Sequence, residues 1–152
     1  MKFSNRQNAM LALGTGIIFF LIATLMSDVI ARISVGNERM VRAISEHLHY
    51  AVTQPIGTLL LLCPFLILSW MSASLSKRKG RGIGLGFLVA SGLALTSIYF
   101  FGYQASQAYL QQRMWTAAAL SVGLLPVESV PVILICLGAR WLIGRSRGET
   151  AT

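Results

Sequence analysis

In the stretch LLPVESVPV, residues 124–132, Glu128 stands between Pro126 and Pro131 as the one charged residue of a long apolar run. An ionised carboxylate at the centre of a membrane-spanning helix costs about 2.5 to 3.5 kcal/mol, so such a group faces a partner inside the protein or takes up a proton. Pro131 has no N–H for the carbonyl of Val127, and Pro126 has none for that of Val122. Two freed carbonyls, a carboxyl and the neighbouring hydroxyl of Ser129 make a polar spot of the kind that broken helices carry at proton or cation sites. Two other readings use the same residues. Glu128 could serve as an interhelical hydrogen-bonding group, with Thr15, Thr24, Thr58, Ser91, Thr96 and Ser97 as partners at matching depth. Alternatively, residues 115–125 form a separate outer-leaflet or re-entrant helix and Ser129 caps a last span starting at Pro131, which puts Glu128 at an interface.

A second constellation is SEHLHY, residues 45–50, which holds both histidines. Glu46 and His49 are one helical turn apart while His47 points elsewhere, so this is not the two-histidine face of a helical zinc site. Cys63 and Cys136 are embedded in apolar runs with no second ligand at metal spacing and read as small hydrophobes. No nucleophile, base and oxyanion set can be assembled, and the glycines of GTG and GRGIGLG have no strand–turn–helix context for a phosphate. Neither a conventional enzyme nor a cofactor nor a metal is expected.

Composition determines the scaffold on which these residues sit. Of 152 residues, 55% are hydrophobic and 12% charged, too little polar surface for a soluble domain of this size. The net charge of +8 sits in short runs between apolar segments rather than on one polar face, which argues against nucleic-acid binding. Crossing the hydrocarbon core takes about 20 mostly apolar residues. Four such runs exist, at about 9–27, 53–74, 83–103 and 115–139. They leave a first loop at about 28–52, a basic loop at about 75–82 and a tail from about 140 to 152. The first run is longer than a signal-peptide core and lacks a clean cleavage site, so it reads as a retained span.

Lys and Arg near span ends resist translocation. With the N-terminus in the cytoplasm, nine of them fall on the inner side, including Lys77, Arg78, Lys79 and Arg81 of KRKGR, and four on the outer side, Arg32, Arg39, Arg42 and Arg113. Both termini are therefore expected in the cytoplasm of an inner (plasma) membrane protein, with KRKGR as a topology determinant or a contact for anionic lipid. Trp115 and Trp141 bracket the fourth run, where interfacial aromatics belong.

On the third run Gly82, Gly86, Ala90 and Ala94 recur every four residues as a ridge of small side chains, over which another helix can approach closely. Pro64 predicts a kink in the second run. In the first outer loop, NERMVRAISEHLHYAV sets Met40, Val41, Ile44, Leu48 and Val52 at helical spacing, with Glu38, Arg42 and Glu46 alternating in sign. This predicts an amphipathic helix on the outer surface or docked on the spans, with Arg39, Arg42, Glu46, His47 and His49 available for contacts.

The run ERMVRA, residues 38–43, is similar to the Arg-rich approach to the second helix in the membrane-associated eicosanoid and glutathione metabolism family. The similarity covers Glu38, Arg39, Arg42 and Ala43, and Ile44 and Glu46 stand where that family has His and Asn. The resemblance implies a glutathione-type membrane enzyme, with glutathione bound between the subunits of a trimer.

The expected architecture is thus an all-α integral membrane protein, a single domain of four transmembrane helices in a bundle. The expected role is action through helix–helix contacts, as a homo-oligomer or an accessory subunit of a membrane assembly among membrane lipids. The alternative is a small transporter or proton- or cation-coupled channel built on Glu128, with an ion or small molecule as substrate.

Overall fold

The computed structural model describes residues 5–145; Lys2, Arg147 and the end of the expected tail lie outside the described residues. Among the described residues every regular element is helical, and four helices are long and apolar enough to cross a membrane: Arg6–Ser34, Pro55–Lys79, Arg81–Gln111 and Leu125–Ile143.

The first is built from α1 (Asn5–Leu21), a π-helical segment (Ile22–Met26) and α2 (Ser27–Ser34) in unbroken succession. It continues past Asp28 because Asp28 and Arg32, one turn apart, neutralise each other through an Nε to Oδ1 contact of 3.0 Å. A π-helical turn shifts the angular phase of the residues on its C-terminal side, and such segments often mark sites where side chains must be re-aimed. Thr24 within it, and Ser27, Asp28, Ala31 and Arg32 after it, are all buried.

Helix α3 (Met40–Thr53) comes after a turn at Asn37, which has φ +53°. Its inward residues are Ala43, fully buried, and the half-buried Ile44, Glu46, His47 and Ala51; of the expected apolar stripe Ile44 thus turns in, whereas Met40, Val41, Leu48 and Val52 are exposed. The polar edge turns in because Asp28 and Arg32 lie beneath it and require partners. Gln54 ends α3, and Pro55 opens α4 (Pro55–Lys79) at a position where its missing N–H costs nothing.

Helix α4 carries Pro64 inside it and ends at Gly80, whose φ of +100° favours glycine. Helix α5 (Arg81–Gln111) then runs back along α4. The core lies where α1, α4 and α5 meet, around Phe65, Leu68, Met71, Leu88, Leu95 and Tyr99. Polar stitches cross it: Ser72 Oγ donates to the Gly84 carbonyl at 2.7 Å, and the Tyr99 hydroxyl donates to that of Leu61 at 2.6 Å. The Leu61 carbonyl is next to that of Leu60, which Pro64 leaves without its helical N–H. Small residues allow the approach. A Cβ on Gly84 would overlap the Ser76 hydroxyl, and one on Gly102 would lie 2.5 Å from Leu125.

The apolar run expected as one helix over 115–139 is three helices in series: α6 (Trp115–Gly123), α7 (Leu125–Glu128) and α8 (Val130–Arg145). The breaks fall at Leu124 and Ser129, each two residues before a proline. A proline clashes with the carbonyl four residues earlier and restricts the residue before it, so two prolines five apart interrupt the ladder twice. Helix α6 packs on α5, and α8 on α4.

Candidate functional site

Asp28, Arg32, Glu38, Glu46 and His47 come together where α2 packs beneath α3. Asp28 is the hub. Its Oδ1 accepts from Arg32 Nε at 3.0 Å, and its Oδ2 lies 2.9 Å from His47 Nδ1. Arg32 Nη1 donates to Glu46 Oε2 at 2.6 Å and lies 3.5 Å from Glu38 Oε2, a sealed oxygen with no hydrogen bond among the described residues. The guanidinium also sits 5.8 Å above the Tyr50 ring. Glu46 is shared, its Oε1 accepting from the exposed Arg42 at 2.8 Å. The Arg42 hydrogen bond holds the Glu46 carboxyl below the ordinary range, partial burial opposes this, and Arg32 adds to the lowering.

This arrangement orients an imidazole. An aspartate on Nδ1 fixes the tautomer, so that neutral His47 holds its proton on Nδ1 and presents the Nε2 lone pair. That nitrogen has no hydrogen-bond partner among the described residues. Asp28 and Arg32 were legible in the sequence only as charges bounding a span. Their helical spacing of four was the one available signal, and what joins them to His47, 19 positions from Asp28, is tertiary.

Asp28, Arg32 and His47 of the cluster line a cavity of about 550 Å³ between α1–α2, α3, α4, α5 and the α6–α7 segment. Its walls are mainly apolar, and Pro126 and Trp115 are among them. Among the described residues no three His, Cys, Asp or Glu side chains meet in a way that could hold a metal.

The other sequence-derived positions are dispersed. Glu128 is exposed and makes no hydrogen bond or ion pair among the described residues; it lines a separate shallow groove with Ile98, Phe101, Ala105 and Leu124. Its candidate hydroxyl partners bond backward to their own helices, Thr15 to Leu11, Thr24 to Phe20, Ser91 to Phe87, Thr96 to Gly92 and Ser97 to Leu93, while Thr58 reaches Ala51 and Gln54. Ser129 is fully buried and donates to Leu125 at 2.7 Å. Pro131 is exposed and Pro126 half-buried. Gly82, Gly86, Ala90 and Ala94 are all exposed. Arg39 and His49 are exposed, His49 lying edge-on to Tyr50. Lys77, Arg78 and Lys79 end α4, where cations complement the helix dipole, and Arg81 starts α5 across Gly80.

The fold defines a class: an all-helical protein with four helices long and apolar enough to cross a membrane. Compared with family models, curated proteins and solved structures, the chain matches none.

Proposed function

We propose that this is an inner-membrane protein of four spans that works by lateral contact with other membrane helices, first of all those of a second copy. The observation that carries this reading is the outer face of α5. Ile83, Gly86, Ala90, Leu93, Ser97 and Phe101, spaced three or four apart, are all exposed, and the face leads toward the groove that holds Glu128. Small residues on an unpacked helix face permit the close approach on which association in lipid depends. An unpartnered carboxylate beside it gains from a donor on an incoming helix, since facing lipid alone is costly.

The orientation proposed is cytoplasmic termini with α3 on the opposite side, supported by the nine-to-four distribution of Lys and Arg. The exposed Met40, Val41, Leu48 and Val52 would then rest in the headgroup region.

The test places single cysteines at positions 86 and 93 in a background where Cys63 and Cys136 are serine, and oxidises intact membranes. Disulfide-linked dimers at both positions, absent at control position 137 on α8, are the expected result. Crosslinks only to other proteins would favour the accessory-subunit form. No crosslink at either position would remove the reading.

A further inference from the structure

From the cavity beneath α3 we infer that the protein binds an uncharged lipid whose head carries a hydroxyl group. Two polar side chains on α5 motivate this. Tyr103 and Gln107, one turn apart, are 7% and 6% exposed, line the cavity, and make no hydrogen bond with any described residue. Neither side chain has a polar atom sealed from the cavity, so the phenol and the amide are open to a ligand or ordered water there. His47 lines the same cavity, and its Nδ1 contact with Asp28 leaves Nε2 without a hydrogen bond among the described residues. A hydroxyl has one donor and two acceptor lone pairs, which suits it to donate to Nε2 of neutral His47 while accepting from both the Gln107 amide and the Tyr103 phenol.

Charge selects against an anionic head. Three carboxylates, Asp28, Glu38 and Glu46, surround Arg32, and Arg42 pairs with one of them. Counting Asp28, Glu38 and Glu46 against Arg32 and Arg42, the cluster carries one negative charge in excess, and Arg32 is already committed. A phosphate or carboxylate head would meet repulsion and few free donors. The remaining walls, with Phe20, Leu25, Leu61 and Val122, suit a hydrocarbon tail, and about 550 Å³ falls within the range of small-molecule pockets. A glyceride and a quinol share this head chemistry.

Trp115 on the cavity wall supplies the readout. In a W70F/W141F background in nanodiscs, its fluorescence is quenched with a monoacylglycerol bearing a brominated chain. The comparison probes are the free fatty acid and an alkyl hydroquinone with the same chain. Saturable quenching by a hydroxyl-headed probe, with the fatty acid giving only the linear quenching of partition, is expected; the stronger of the two hydroxyl probes identifies the source. Gln107→Leu, of similar volume, should weaken the saturable component about tenfold, as for a lost buried hydrogen bond. Ala119→Phe, which fills the cavity from an exposed position without adding a second indole, should abolish it while thermal unfolding remains cooperative. Linear quenching by all probes, equal saturation by the fatty acid, or no effect of Gln107→Leu would each overturn the inference.

Discussion

Nδ1 of His47 lies 2.9 Å from Oδ2 of Asp28, joining α3 to the last turns of the long helix that precedes it. The other oxygen of the same carboxylate is held by Arg32, which in turn reaches Glu46. Two residues of α2 thus hold two adjacent residues of α3. The helix has little else to hold it, since Ala43 is its one fully buried residue.

Removing the cation at the centre of this arrangement should detach α3. The Arg32 and Asp28 side chains are 11% and 7% exposed, so an Arg32→Leu change removes the buried cation shared by Asp28, Glu38 and Glu46 and leaves Asp28 with His47 alone and Glu46 with the exposed Arg42. Breaking such a pair from one side costs about 3 kcal/mol, far more than the intact pair is worth against an apolar substitute. The expected result is a lower unfolding midpoint in detergent, and hydrogen exchange in Met40–Thr53 accelerated more than in α4 or α5. Equal acceleration everywhere would mean that the cluster supports the bundle rather than α3.

Acid should produce the same detachment reversibly. The Glu46 carboxyl is lowered from 4.5 by the Arg42 hydrogen bond and by Arg32, against the opposing effect of burial. A folded value below the unfolded one means that the stabilisation is complete above about 4.5 and fades as pH falls through the folded value. Amide exchange in α3, corrected for its intrinsic pH dependence, should therefore speed up selectively below pH 4.5, and Glu46→Gln should be fast at every pH. A selective change near neutrality, unaltered in Glu46→Gln, would assign the transition to another group.

Within the bundle, the Tyr99 hydroxyl ties α5 to the Leu61 carbonyl of α4, one residue from the carbonyl that Pro64 frees. Tyr99→Phe keeps the edge-on ring contact with Phe65, at 5.3 Å between centroids, and removes the hydroxyl with its bond to the Leu61 carbonyl. Interhelical hydrogen bonds in lipid are worth on average about 0.6 kcal/mol and at most about 1.7. A loss within that range is expected from unfolding in mixed micelles, and Tyr99→Leu should cost more by breaking the ring packing as well.

How far these features could be read in advance depended on whether they were local. The apolar runs are local, and the four helices long enough to span grow out of them. Their ends were harder, because an uncharged-run criterion stops at Asp28, whereas the helix continues to Ser34 once Arg32 neutralises that charge. Likewise α5 passes Tyr103 to Gln111 because Ser106 and Gln107 turn inward. The break of the last apolar run at Leu124 and Ser129 was present in the spacing of Pro126 and Pro131. The direction in which α3 faces was not, since apolar periodicity favoured Val41, Leu48 and Val52 while the buried charges of α2 drew in Glu46 and His47. The choice of which glycines pack inside the chain was equally hidden, because Gly82, Gly84 and Gly86 look alike in sequence.

That last distinction yields a paired experiment. A Cβ at Gly84 would overlap the Ser76 hydroxyl and lie 2.8 Å from the Ser72 carbonyl oxygen, a backbone atom that cannot turn away. The same Cβ at Gly86 meets nothing within 4 Å. Gly84→Ala should therefore push α4 and α5 apart, break the Ser72 to Gly84 hydrogen bond and cost about 1 to 3 kcal/mol, the usual range for overpacking. Gly86→Ala should leave monomer stability unchanged or raise it by the helix propensity of alanine. Gly86→Leu, which also fits the isolated chain, should instead weaken self-association if the exposed face of α5 is where a second copy docks. Unfolding in detergent reads the first two variants, and crosslinking at position 93 in membranes reads the third. A Gly86→Leu protein that unfolds normally yet still crosslinks at position 93 would detach the small-residue ridge from any role in assembly.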